Sequence, residues 1–132
     1  MPVYIEKVAT PSPQDRTDLA KIYADAPAWL LAPHASADEL IAAGIERGTL
    51  VAARFNDRLL GAALLEKGEN RWLLSHLCVR KITRRRGVAQ RLLDEALRIA
   101  VEDGKPLHLG APRDQLESQA FAAHVKLPLE SL

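Results

Sequence analysis

Between Thr49 and Val79 the chain runs through three apolar stretches separated by two short polar interruptions. Residues 49–55 and 59–66 flank Asn56-Asp57-Arg58, a set that suits the tight turn of a β-hairpin. Lys67-Gly68-Glu69-Asn70 supplies a second turn, so residues 71–79 are expected as a third antiparallel strand. Ahead of these, residues 3–8 alternate apolar with polar and predict a first strand. Asp15 is expected to cap a helix reaching about Tyr23, with Leu19, Ile22 and Tyr23 on one side and Pro27 ending it. Ser36-Ala37-Asp38-Glu39 reads as a capping box opening a second helix through Leu40, Ile41 and Ile45 that stops near Gly48.

The strongest helical periodicity covers residues 88–103. Val88, Leu92, Ala96, Ile99 and Ala100 share a face, Arg91, Asp94, Glu95, Arg98 and Glu102 offer charge pairs on the other, and Gly104 closes the end. Residues 107–111 read as a short strand, and a strand–helix–strand crossover makes it parallel to residues 71–79. Residues 116–126 are the last predicted helix. The predicted order is β-α-α-β-β-β-α-β-α, an α/β fold with a mixed sheet and helices on both faces. Little chain remains for further strands after Lys126, so strand 107–111 is expected to keep an open edge, and an open edge invites self-association.

Composition narrows the setting. At 132 residues the chain is expected to be one domain, 1–132, and its 48% apolar and 27% charged residues are those of a soluble globular protein. A formal net charge of +1 makes any basic cluster a local feature and argues against nucleic acid as partner. Cys78 is the sole cysteine, which fits a reducing cytoplasm, and no apolar run is long enough to span a bilayer. Glu6 and Lys7 fall where a signal peptide needs an apolar core. No metal site is read.

That local feature is Arg84-Arg85-Arg86-Gly87-Val88-Ala89, between the third strand of the meander and the best helix. The first N–H groups of a helix lack intrahelical partners and carry the positive end of its dipole, so they suit a phosphate. Gly87 has no side chain to keep an anion from that backbone, the small Ala89 lets the helix seat close to the sheet, and the arginines add donors matched to phosphate oxygens. Arg84-x-x-Gly87-x-Ala89 resembles the Arg/Gln-x-x-Gly-x-Gly/Ala motif of the GNAT acetyltransferase superfamily, which binds the pyrophosphate of acetyl-CoA. Three longer blocks resemble the PanZ/PanM family, the GNAT-like maturation factors of aspartate decarboxylase. They are Gln14-Asp15-Arg16-x-Asp18-Leu19-x-Lys21-Ile22, Ala52-Ala53-Arg54-Phe55-Asn56-x-Arg58-Leu59-Leu60 and Val79-Arg80-x-x-Thr83-Arg84-Arg85-Arg86-Gly87-Val88. The resemblance is poorest over residues 24–48, where this chain is longer, and after about Ala100.

The resemblance implies a GNAT-like sheet with antiparallel strands two to four, a splayed parallel pair of strands four and five, and truncated C-terminal strands. It implies acetyl-CoA or CoA as ligand, held by Leu77, Cys78, Val79 and the segment Thr83, Arg84, Arg85, Arg86, Gly87, Val88, Ala89 and Gln90. Many GNAT enzymes use a Tyr on the last helix as general acid; His124 stands at that position here, and Pro128 replaces a glycine. His124 is thus a candidate acid and His76, on the cleft strand, a candidate base, each weighed against a structural role. Cys78 is read as a small buried residue. The PanZ/PanM resemblance further implies an aspartate 1-decarboxylase precursor as partner, docked on Arg54 and Asn56, with self-cleavage promoted and pantothenate and CoA synthesis regulated. Little or no N-acetyltransferase activity is expected, and an active small-substrate N-acetyltransferase is the alternative.

Overall fold

The computed structural model describes residues 3–84 and 86–132. One sheet holds six strands whose spatial order is their chain order. β1 (Tyr4–Lys7), β2 (Leu50–Phe55), β3 (Arg58–Lys67) and β4 (Trp72–Val79) pair antiparallel in succession. β5 (Leu107–Gly110) runs parallel to β4, and β6 (Leu129–Glu130) parallel to β5. The helices α1 (Pro13–Ala24) and α2 (Ala37–Arg47) connect β1 to β2, α3 (Val88–Glu102) makes the crossover from β4 to β5, and α4 (Leu116–Val125) leads from β5 to β6. No helix among the described residues is long and apolar enough to cross a membrane.

Alternation along the central strands divides the core between two faces. Ala52, Ala62 and Cys78 pack with Leu19, Ile22, Tyr23 and Leu40 beneath α1 and α2. Their neighbours Ala53 and Val79 pack with Val88 and Leu92 of α3, while Ala63 joins Leu93 and Ala96. These small strand residues let helices approach closely. At Gly61 an added Cβ would stand 3.0 Å from Val88 Cγ1, so this glycine of β3 also lets α3 sit near the sheet.

The predicted elements appear with local corrections. α1 begins at Pro13, with Ser12 as N-cap and Asp15 as the third helical residue: the Ser12 hydroxyl accepts from the Asp15 N–H at 3.0 Å, and the Asp15 carboxylate accepts from the Ser12 N–H at 3.2 Å. Proline at the first helical position costs no hydrogen bond, which is why the helix starts there. In α2 the Ser36 hydroxyl accepts from Glu39 N–H, but the Glu39 carboxylate reaches the N–H of Ala35 instead of closing the box. The β2–β3 turn places Asn56 and Asp57 at φ 47° and 66°, the left-handed pair of a two-residue hairpin.

The open edge expected at β5 is not left bare. Leu109 N–H donates to the Pro128 carbonyl and Ala111 N–H to that of Glu130, which lays β6 along it. Leu127 and Leu129 pack against the core there, and the Glu130 carboxylate accepts from Arg71 at 2.6 Å and pairs with His108 Nδ1 at 2.7 Å. The Arg71 guanidinium, with desolvation opposing and His108 assisting, holds the Glu130 carboxyl down to about 2. Self-association through a bare β5 edge loses its footing.

Asp18 is the hub between α1 and the hairpin. Its carboxylate is 1% exposed and accepts from Arg58 Nη2 at 2.7 Å, the Leu59 N–H at 3.1 Å and Gln14 at 2.9 Å. Asp18→Asn leaves these donors facing an amide and should cost about 2 kcal/mol, a figure held down by the half-exposed Arg58. Arg98→Ala, which removes an exposed arginine paired with Glu95 and Glu102, should cost far less, because solvent screens these pairs. Urea unfolding of the two variants should rank them in that order.

Candidate functional site

β4 stays in register with β5 only from Trp72–Leu107 to Ser75–Gly110. Beyond that pair the strands part. The cause lies in β4, where the pairing passes from Leu64–Ser75 to Ala62–Cys78, so that His76 and Leu77 oppose the single residue Ala63. This is a β-bulge, and His76 adopts φ 55°, a left-handed conformation rare for a residue with a side chain. Hydrogen bonds hold it. The Tyr23 hydroxyl donates to the His76 carbonyl at 2.8 Å, His76 Nε2 meets the Ala32 carbonyl at 2.8 Å, and Nδ1 meets Ser75 Oγ at 2.8 Å. A carbonyl only accepts, so Nε2 carries the proton and Nδ1 accepts from the serine. Burial, with His34 nearby and the Ala32 bond opposing, lowers the pKa of His76 below the usual imidazole value.

The parting of the strands opens a cleft of about 400 Å³. Ser75 to Val79 line one side, Leu109 to Ala111 and Ser118 and Phe121 the other. Pro27, Trp29 and Leu30 close part of it, the last two from a 3₁₀ turn over Ala28–Leu31. The long segment 24–48 therefore supplies a wall of the cleft, and the bond from His76 to Ala32 fastens it to β4. Sequence reading assigned that segment no such part. The Cys78 side chain belongs to the other face: its thiol donates to the Ile22 carbonyl at 3.3 Å, and burial pushes its pKa up.

At one end the cleft meets a second cavity of about 270 Å³, and Val79, Arg84, Ala89 and Phe121 line both. Thr83, Gly87, Val88 and Gln90 also line the smaller one, so this part of the predicted ligand segment does come together. Gly87 is the N-cap of α3 at φ 81°, offers no side-chain cap, and an added Cβ there would meet nothing within 4 Å. The first intrahelical bond runs from Arg91 N–H to the Gly87 carbonyl at 3.0 Å, which leaves the amides of the first turn directed out of the helix. Val88 is buried in the core, Arg86 is exposed, and Arg85 lies outside the described residues. The glycine, the open space before it and the outward amides fit a pyrophosphate.

Asp25, which follows α1, organises the approach to that turn and was not singled out from sequence. Its carboxylate accepts from the Lys81 N–H at 3.0 Å and from Arg80 Nε at 3.2 Å, while its carbonyl accepts from Arg84 Nη2 at 3.3 Å. The Lys81 amide, with burial opposing and Arg80 assisting, lowers its pKa. Arg84 also donates through Nε to the Val79 carbonyl at 3.4 Å, a contact long enough for a stronger acceptor to displace. The only signal for Asp25 in the sequence is an acidic residue at a helix C-terminus, where the dipole disfavours it.

The other candidates are dispersed. His124 is exposed on α4 and lines the cavity beside Gly87, not the larger cleft. His76 has both ring nitrogens engaged, which leaves neither free to act as a base in this arrangement. Arg54, expected as a docking contact, is bound into the fold. Its guanidinium donates to Glu6 at 2.6 Å, to both Asp15 oxygens at 3.2 Å and to the Asp57 carbonyl at 3.2 Å. Those carboxylates raise its pKa further. Asn56 is exposed at the turn itself.

Comparison with known proteins bears on the family and the fold. A family model described as an acetyltransferase (GNAT) domain, PanZ, matches residues 2–129. Two curated relatives described as PanD regulatory factors, from Salmonella typhimurium (strain LT2) and Escherichia coli (strain K12), are each 42% identical over 87 residues, 66% of this chain. The matched stretch is 60% of the length of those relatives. Among solved structures, the PaiA N-acetyltransferase of Thermoplasma acidophilum in complex with coenzyme A superposes with a TM-score of 0.67 at 19% identity, covering 95% of this chain and 89% of that one. PH1933 of Pyrococcus horikoshii gives 0.71 at 14% identity over 94% and 87%. At such identities the likeness concerns the fold, which is that of the GNAT acetyltransferases.

The buried imidazole makes a testable demand. Because the folded pKa of His76 lies below the ordinary 6.5, the unfolded chain binds more protons just under that value, and stability falls as pH drops from there. Urea midpoints should therefore decrease between about pH 7.5 and 5.5, around the ordinary histidine pKa of about 6.5. His76→Asn should be less stable throughout but flatter across that interval.

Proposed function

The chain belongs to the PanZ family of GNAT domains, and from that premise we propose that it is a cytoplasmic, acetyl-CoA- or CoA-binding regulator of aspartate 1-decarboxylase. In this reading it docks on the decarboxylase precursor, promotes the self-cleavage that matures it, and so regulates pantothenate and CoA synthesis. The observation that carries the proposal is the 42% identity to two proteins named PanD regulatory factor, within a family model spanning almost the whole chain. The first-turn amides of α3 and the basic turn before it receive the pyrophosphate, and the cleft between β4 and β5 receives the pantetheine arm. That arm lies along the backbone of Leu77, Cys78 and Val79 as an added strand would.

Acetyl transfer is the weaker reading. It needs a base for the acceptor amine and an acid for the departing thiolate. His76 has no free nitrogen for the first task, and His124 stands beside the pyrophosphate end, away from the cleft where a thioester would lie. Release of free thiol from acetyl-CoA should stay at background with amino acids, polyamines and peptides; turnover on the order of 10 s⁻¹ would reverse the assignment.

The docking surface in this reading is the β2–β3 turn, and the two residues there call for different tests. Arg54→Ala strands Asp15, whose side chain is 11% exposed, and so costs stability along with any contact. Asn56→Gly is the cleaner probe, because glycine adopts the same left-handed conformation and only the amide is lost. It should leave folding and acetyl-CoA affinity unchanged while weakening capture of the precursor by ~2 kcal/mol, about 30-fold in Kd.

For the ligand, Gly87→Val should abolish acetyl-CoA binding in calorimetry at concentrations that saturate wild type. Gly104→Val is the control. It places a side chain on an equally left-handed residue, φ 69°, also facing open space and remote from the turn. It carries the same backbone cost, ~1–2 kcal/mol, and should bind acetyl-CoA as wild type does.

A further inference from the structure

The cleft contains one polar group that the fold does not explain. Ser118, in the first turn of α4, is 7% exposed, lines the cleft, and its Oγ has no hydrogen-bond partner among the described residues. The other buried serine of the cleft, Ser75, is satisfied by His76 Nδ1 at 2.8 Å. A buried hydroxyl left unpaired is destabilising, and native proteins seldom keep one without a use. An alanine would fill the same space at no such cost.

Position along α4 defines what Ser118 meets. Ser118, Phe121 and His124 follow at helical spacing on one side. Ser118 lines only the larger cleft, Phe121 lines both cavities, and His124 lines only the cavity beside Gly87. At 1.5 Å per residue, Ser118 lies about 9 Å along the helix from the level of His124. A pantetheine arm that starts at the pyrophosphate has not reached its sulfur in that span; its amide groups fall there. Each amide offers a carbonyl that accepts and an N–H that donates, and a serine hydroxyl can serve either.

We propose that Ser118 Oγ is the hydrogen-bonding partner of an amide of the pantetheine arm, and that it fixes the course of the arm through the cleft. This rests on the CoA-binding reading above. Ser118 is then a ligand-positioning residue with no part in bond making, and it contributes equally to CoA and to acetyl-CoA because the acyl group lies beyond it.

Calorimetry with three ligands separates this proposal from the reading on which it rests. Acetyl-CoA and CoA carry the arm; 3′-phospho-ADP keeps the pyrophosphate and lacks it. Ser118→Ala should bind acetyl-CoA and CoA about tenfold more weakly than wild type, the worth of one hydrogen bond, and 3′-phospho-ADP unchanged. Ser118→Thr, which keeps the hydroxyl, should retain most of the affinity. The ligand-free Ser118→Ala protein should melt at or above the wild-type temperature, since an unpaired buried hydroxyl has been removed. Unchanged affinity of Ser118→Ala for both arm-bearing ligands would overturn the proposal. So would a loss confined to acetyl-CoA, or one shared by 3′-phospho-ADP. Wild type that binds neither acetyl-CoA nor CoA would overturn the CoA reading itself.

Discussion

The left-handed backbone of His76 is the constraint on which the rest of the site depends. An L-residue at φ 55° carries a strain of about 1 kcal/mol or more, and it persists only because its surroundings over-determine it. The Tyr23 hydroxyl takes its carbonyl, the Ala32 carbonyl takes one ring nitrogen, and Ser75 satisfies the other. Without the bulge, β4 would keep its alternation and its pairing past Ser75, and the gap beside β5 would close. The same imidazole fastens the wall that carries Trp29 and Leu30. One residue thus both opens the cleft and secures its boundary.

Both halves of the site hang from the C-terminal end of α1. The Ile22 carbonyl receives the Cys78 thiol, the Tyr23 hydroxyl holds the bulge, and Asp25 gathers Arg80, Lys81 and Arg84 ahead of the phosphate turn. α1 is in turn locked to the hairpin through Asp18 and to β2 through Asp15 and Arg54. The distance between the cleft and the turn is therefore set by one rigid helix end and not by the intervening loop alone. In the proposed CoA reading, contacts with the arm and with the pyrophosphate reinforce each other without further ordering of the backbone.

Most of the fold was legible because period and punctuation coincide. The apolar face of α3, the Asn56-Asp57 turn, the Ser36 cap and the Gly48 and Gly104 stops are all local, and all appear where expected. The turn before α3 was legible for a similar reason: it joins a glycine, basic residues and a helix start within six positions. Long-range bonds were not legible. Nothing near Ser75-His76 marks a bulge except two polar residues in an apolar run, and its cause lies in Tyr23 and Ala32. Arg54 looked free because its partners, Glu6 and Asp15, are 48 and 39 residues away. Ser118 carries no signal at all in the sequence, since its interest lies in a missing partner. β6 escaped notice because two residues are too few to show a period.

The central claim is that this chain holds acetyl-CoA between a helix start and a splayed strand pair. Amide hydrogen exchange followed by mass spectrometry, with and without acetyl-CoA, addresses it most directly. The account predicts slowed exchange in two places, the peptides covering Leu77 to Val79 and those covering Gly87 to Gln90, with the Asn56-Asp57 turn unaffected. Protection confined to other parts of the sheet, or none at a ligand concentration that saturates binding, would contradict it.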